Sequence, residues 1–237
     1  METVLLNNPL FQGTLAVSIA KENGLSLADQ VAREVREDII NGRLLSGMPL
    51  VESELVRGYN ASRNTVREAL HLLGREGLTT YIRHKSVIVR QLTVADVRDL
   101  FMVRRTLESR AILAGGPLAE RPAQRMADAI EAAELACERE DWRAFATHSL
   151  RFHQHVVGLL GSPSFDEFFT NIVAQMRLVF SAALDEASYQ APWLERDRHI
   201  YQLLVDDHRV EAGDAMDTYL KDSEHQALAL LASVASH

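Results

Sequence analysis

The sequence predicts a mainly α protein in two parts: a small N-terminal unit of three helices closed by a β-hairpin, then a larger all-α bundle. Three observations carry this. Apolar residues recur at helical spacing along most of the chain, and the period changes to that of strands only once, near residues 78–90. The third is size: 237 residues, 47% of them apolar, suit two unequal cores better than one.

Taken in order, residues 1–26 have mixed polarity and no sustained period and read as a tail. Leu27, Val31, Val35 and Ile39 then recur every four residues, the stripe of an amphipathic helix that Asn41-Gly42 stops. Gly47-Met48-Pro49 turns the chain into a short extended segment. A second short helix runs from Glu52 to about Tyr59, burying Leu55, Val56 and Tyr59. After Asn60-Ala61 a third helix begins. Ser62 suits its N-cap, because a hydroxyl there accepts from a free first-turn N–H. Val66, Ala69, Leu70 and Leu73 form its inner face, and it stops within residues 74–77. Residues 78–82 and 87–89 are rich in β-branched and aromatic residues around a polar tip, a hairpin signal. Beyond Asp96 the pattern is helical, with breaks at residues 115–117, 161–163, near 188–192 and around 206–208. That gives about six helices and no strand, a bundle.

Charge divides along the same boundary. Residues 27–91 carry ten Arg and Lys against eight Asp and Glu, while residues 92–237 carry fourteen against twenty-three. The chain's net charge of −8 therefore hides a locally positive N-terminal unit, and phosphate contacts depend on local charge. No apolar run approaches the roughly 20 residues that span a bilayer. The start, Met1-Glu2-Thr3, lacks the basic patch of a secretory signal, and Cys137 is the only cysteine. A cytoplasmic protein with no membrane partner and no internal disulfide is expected.

The third helix carries the chemistry of the first unit. Arg63 and Arg67 are four residues apart and leave from one face at the helix start, where a recognition helix meets base edges. Arginine spans guanine O6 and N7 with two donors. Asn64 and Thr65 lie on the same turn as the Ser62 cap, and Arg83, His84 and Lys85 crown the hairpin. Any one of these arginines alone reads as a solvated surface charge. Their coincidence with a capped helix, a preceding short helix and a basic hairpin tip points to a winged helix-turn-helix on double-stranded DNA.

The run Ile40-Asn41-Gly42-Arg43-Leu44, then Glu54-Leu55, then Ser62-Arg63-Asn64-Thr65-Val66-Arg67-Glu68-Ala69-Leu70, then Glu76-Gly77-Leu78 resembles the DNA-binding domain of GntR-family regulators. The resemblance implies that Ser62, Arg63, Asn64, Thr65 and Arg67 touch DNA, with a wing at Arg83, His84 and Lys85. Ser53 stands where many members have a phosphate-binding arginine, and Ser86 where the wing commonly has glycine. Residues 96 to about 231 are similar to the FCD effector domain of the FadR-like branch, through Val103-Arg104-Arg105-Thr106-Leu107-Glu108, Phe152-His153 and residues 216–220.

Within those helices, five polar residues fall on apolar stripes: Arg104, Ser149, His153, Asp197 and Tyr219. His148 and His155 share a different face from His153. Each of the five alone reads as a core group satisfied by a neighbour, such as Arg104 with Glu108 one turn on. Together they suggest a small-molecule pocket. Many FCD domains hold a divalent metal through one Asp and three His, and by resemblance those positions here are Ser149, His153, Asp197 and Tyr219. Only His153 is retained. Asp197 could still ligate, but neutral Ser and Tyr are poor ligands. The expectation is therefore an organic anion, a carboxylate, on Arg104 and His153 with no cofactor, and a divalent metal on His153 and Asp197 is the lesser alternative.

These readings give three parts: a tail at residues 1–26, a winged helix-turn-helix at 27–91, and a helical effector-binding and dimerisation domain at 92–237. The function expected is a transcription regulator, a homodimer on operator DNA controlled by a small effector. Two alternatives were weighed. An enzyme lacks support, since there is neither a nucleophile elbow nor a phosphate loop. A DNA-architectural protein without an effector would have no use for a polar cavity.

Overall fold

The computed structural model describes residues 24–82, 86–114, 117–180 and 186–235, and within them the chain divides into two compact units. The first comprises residues 24–39 and 43–91, the second residues 40–42 and those from 92 onward.

In the first unit, α1 (Leu27–Ile40), α2 (Glu52–Gly58) and α3 (Arg63–Arg75) surround a core of Val31, Val35, Ile39, Leu55, Val66, Leu70, Leu73 and Leu78. Leu27, placed on the inner stripe by spacing, is instead exposed at the helix start, and Val56 is only half-buried. The Ser62 hydroxyl accepts from the Thr65 N–H at 3.1 Å and caps α3, a contact worth about 1 kcal/mol. Val66, Ala69, Leu70 and Leu73 bury the inner face of α3 and leave its opposite face to solvent.

Polar contacts fix the three helices together. Asp38 on α1 is buried. Its carboxylate accepts from the Tyr59 hydroxyl at 2.5 Å and from Arg43 Nε at 2.6 Å. Arg36 grips Glu76 with two bonds, at 2.9 and 2.6 Å. Three strands complete the unit: β1 (Pro49–Leu50), β2 (Thr79–Ile82) and β3 (Ser86–Val89), antiparallel in the order β1-β3-β2. The hairpin register pairs Thr79 with Val89 and Ile82 with Ser86. The extended segment after Pro49 is thus the third strand, pairing Leu50 with Val87.

The second unit holds α4 (Val94–Ala114), α5 (Glu120–Glu138), α6 (Trp142–Val157), α7 (Pro163–Phe180), α8 (Glu186–Val205) and α9 (Arg209–Ala235), with a 3-10 turn at Gly158–Leu160. The central helix α6 packs on α4, α5, α7 and α8, and α4 packs along α9. Two boundaries differ from expectation. The break looked for near residues 188–192 is absent, for α8 runs through Pro192. Pro192 is the seventh residue of α8 and removes one backbone donor without ending the helix. A break that no Gly or Pro announces falls at Arg139–Asp141. There Glu140 takes a left-handed φ of 55° and Asp141 caps α6, accepting from the Ala144 N–H at 3.0 Å.

Candidate functional site

The outer face of α3 presents Arg63, Asn64 and Arg67 to solvent, on the turn that Ser62 caps. Thr65 is half-buried, and its Oγ1 lies 2.8 Å from the Ser62 hydroxyl, so these two side chains are committed to each other in the free protein. Arg63 stands clear. Arg67 is held by Glu52, in the first turn of α2, with Nε 2.9 Å from each carboxylate oxygen. Sequence spacing gave no sign of that pair, since fifteen residues and a turn separate its members. Arg83, His84 and Lys85 lie outside the described residues.

In the second unit, four helices bring the five expected polar residues together. Arg104 comes from α4, Ser149 and His153 from α6, Asp197 from α8 and Tyr219 from α9. Arg104, His153, Asp197 and Tyr219 are buried and Ser149 is half-buried. Glu108, fully buried one turn after Arg104, is the hub. One of its oxygens accepts from Arg104 Nε at 2.7 Å and the other faces His153 Nδ1 at 2.5 Å. On the opposite side of the imidazole, Nε2 faces Asp197 Oδ1 at 3.6 Å, too far for a hydrogen bond. The Ser149 hydroxyl donates to the other Asp197 oxygen at 2.8 Å. Tyr219 sets its ring edge against His153, 4.7 Å between centroids, and touches Trp193.

Electrostatics sort these groups. Burial alone would push Glu108 up, but Arg104 and His153 overcome it and hold its carboxyl below the usual carboxylate range. An ionised Glu108 has no proton to give, so His153 Nδ1 must carry the shared one. Burial pushes the Asp197 carboxyl up to about 6, against the pull of His153, the Ser149 hydroxyl and Arg104. Burial also raises the Tyr219 phenol well above its ordinary value, so it stays a neutral donor. His148 and His155 are half-buried elsewhere on α6 and held below the usual histidine range, by burial first.

Three buried polar atoms of this network lack a partner among the described residues: Arg104 Nη2, His153 Nε2 and Asp197 Oδ1. Arg104 and His153 line a cavity of about 30 Å³ together with Ser149, Phe180, Trp193 and Tyr219. The apolar wall, including Phe145 and Leu150, comes mainly from α6. Trp193 and the buried Ser223 are members that the sequence stripes did not single out.

These donors do not suit a divalent metal. Glu108 spends both oxygens on Arg104 and His153, which leaves one imidazole nitrogen and one carboxylate oxygen. Serine and a neutral phenol add little, and the buried Arg104 guanidinium repels a dication. Among the described residues no group of three or more His, Cys, Asp or Glu is arranged to hold an ion. Elemental analysis of protein purified without chelators is expected to find well under one metal per chain. Stoichiometric zinc, nickel or manganese that disappears in His153→Ala would contradict this.

Asp197 gives the cluster a pH signature. Its folded value of about 6 lies above the unfolded value near 4, so between those limits the native state binds more protons. Stability from this group therefore falls as pH rises through that window, by about 3 kcal/mol at most. Asp197→Asn keeps an acceptor for Ser149 and removes the titration. Its stability relative to wild type should climb between pH 4 and pH 7. Parallel thermal-unfolding curves across that range would contradict the assignment.

A capped, arginine-bearing helix beside a small three-stranded sheet, accompanied by a separate helical unit, is the architecture of a two-domain winged-helix regulator. The model of the bacterial regulatory proteins of the gntR family matches residues 27–89, and the FCD domain model matches residues 99–222. The chain belongs to the GntR family and carries an FCD domain. It is 32% identical over 132 residues to a protein given as a D-xylose utilization operon transcriptional repressor in Paenarthrobacter nicotinovorans, covering 56% of this chain and 58% of that relative. It is 25% identical over 189 residues to the HTH-type transcriptional repressor RspR of Escherichia coli K12, covering 79% and 81%. A GntR transcriptional regulator from Rhodococcus sp. RHA1 has a similar structure, with 31% identity and a TM-score of 0.79, over 86% of this chain and 99% of that one. These relatives are transcription regulators rather than enzymes. No helix among the described residues is long and apolar enough to cross a membrane.

Proposed function

We propose that the protein is a ligand-gated transcription regulator whose residues 27–91 bind operator DNA and whose residues 92–237 bind a small organic anion and dimerise. The observation that carries the effector reading is the pair of cavity-lining residues with unpartnered buried nitrogens, Arg104 Nη2 and His153 Nε2. A buried donor without an acceptor costs about 1–3 kcal/mol, more when charged; a carboxylate satisfies Arg104 Nη2, and His153 Nε2, with the proton on Nδ1, accepts from a ligand hydroxyl. Tyr219 supplies a further donor, and Ser149, whose own proton goes to Asp197, offers an acceptor. The catalytic reading has no support, because nothing in the cluster combines a nucleophile with a base and an oxyanion site.

A cavity of about 30 Å³ takes roughly a water or two, not an organic acid. Effector entry therefore moves the walls, which belong to α4, α6, α7, α8 and α9. A ligand that binds only a widened state shifts the population toward it, which is what a gated regulator needs. Two copies, each presenting one α3, fit a two-fold operator with half-sites about one helical turn apart. The place of action is the cytoplasm.

The test is thermal unfolding of the full chain against a panel of short mono-, di- and hydroxycarboxylates. At least one should raise the wild-type midpoint, and Arg104→Lys, which keeps a cation beside Glu108 but loses the planar fork, should blunt the response. A panel without effect, or a response unchanged in Arg104→Lys, would sink the carboxylate reading.

A further inference from the structure

We propose that Glu52 is a specificity-determining positioning residue, which holds Arg67 so that only the two terminal amines of its guanidinium can face DNA. The inference rests on Arg67 being a DNA contact, and goes beyond it by naming the residue that decides what Arg67 reads.

The geometry begins with which edge of the guanidinium is occupied. Arg67 Nε donates to both Glu52 oxygens, each at 2.9 Å, and the carboxylate approaches from the first turn of α2. A planar guanidinium offers two paired edges, one formed by Nε with a terminal amine and one formed by both terminal amines. Glu52 takes Nε and excludes the first. The second is left for a base, and two parallel donors match guanine O6 and N7. The Glu52 charge has a second consequence. It offsets the Arg67 cation locally, which weakens Arg67 as a phosphate contact while leaving its directional donors intact.

Tyr81 on β2 stacks against His71, 5.1 Å between ring centroids, and lies near enough to the pair to feel both charges. Glu52 of α2 thus braces Arg67, whereas Arg63 has no such brace among the described residues. The pair is surface-exposed, with side-chain exposures of 59% for Arg67 and 35% for Glu52, so its contribution to folding is small. Glu52 can therefore be altered without unfolding the unit, and its role is legible in sequence preference instead of in stability.

The experiment selects binding sites from random duplex DNA with the full chain, then titrates the selected site and its single-base variants with wild type, Arg67→Ala, Glu52→Ala and Glu52→Gln. Arg67→Ala should lose preference at one base pair per half-site. Glu52→Ala should lose roughly tenfold or more discrimination at that same base pair. Its affinity for unrelated DNA should hold or rise, because a negative charge has been removed from the DNA face. Glu52→Gln retains an acceptor for Nε and should keep most of the discrimination. If Glu52→Ala reads that base pair as well as wild type does, or weakens all sequences alike, the positioning role is wrong while Arg67 keeps its own. If Arg67→Ala alters no base preference, the DNA-contact reading of Arg67 fails and this inference falls with it.

Discussion

Glu108→Ala should destabilise the helical unit by about 3–5 kcal/mol, the usual result of leaving a buried charge without its partner. Glu108 is fully buried and accepts from Arg104 Nε at 2.7 Å, and Arg104 is itself only 2% exposed. The same change strips His153 Nδ1 of the hydrogen-bond partner it has among the described residues. For a unit of this size the loss corresponds to roughly 10 °C in the unfolding midpoint. The double replacement of Arg104 and Glu108 by methionine removes both charges at once, so it should cost clearly less than Glu108→Ala alone. Circular dichroism melts of the two variants decide the point. A Glu108→Ala loss below about 1 kcal/mol would mean that Arg104 reaches water, and with it the buried pair would cease to explain the core.

Arg63→Ala should weaken binding to a selected DNA site by about 1–3 kcal/mol, and Arg67→Ala by a similar amount. Both leave the exposed face of α3 at its start, where the Ser62 cap fixes the first turn. They should differ in kind. Arg63 pairs with no carboxylate among the described residues and can serve phosphate or base, whereas Arg67 is braced by Glu52. Lowering salt should therefore widen the Arg63→Ala deficit relative to wild type more than the Arg67→Ala deficit, since losing a phosphate contact flattens the salt dependence and losing a base contact does not. Unchanged affinity in both variants by gel-shift titration would remove α3 as the reading helix.

Much of this was legible in the chain. The three helices and hairpin of the first unit follow from four-residue apolar spacing, one N-cap and a single change of period. The inward placement of Arg104, His153, Asp197 and Tyr219 follows from their positions on apolar stripes. What spacing along the chain does not carry is pairing across elements. The Glu52–Arg67 contact joins two helices through a turn, and Trp193 and Ser223 reach the cavity by the packing of α8 and α9. The turn at Glu140 was silent because a non-glycine residue takes the left-handed conformation there, while Pro192, the usual stop, does not interrupt α8. The Arg104–Glu108 pair follows from one-turn spacing, but that Glu108 would also take His153 depended on rotamers that periodicity does not specify.

The central claim is that occupancy of the Arg104–His153 cavity changes DNA binding. Its most direct test is fluorescence anisotropy of the full chain on its selected DNA site, titrated with a carboxylate that raises the unfolding midpoint, in wild type and in Arg104→Lys. Wild-type DNA affinity should change at least severalfold as the acid saturates, a coupling of about 1–3 kcal/mol, and Arg104→Lys should respond weakly or not at all. A carboxylate that binds the wild-type protein and leaves its DNA affinity unchanged would contradict the claim.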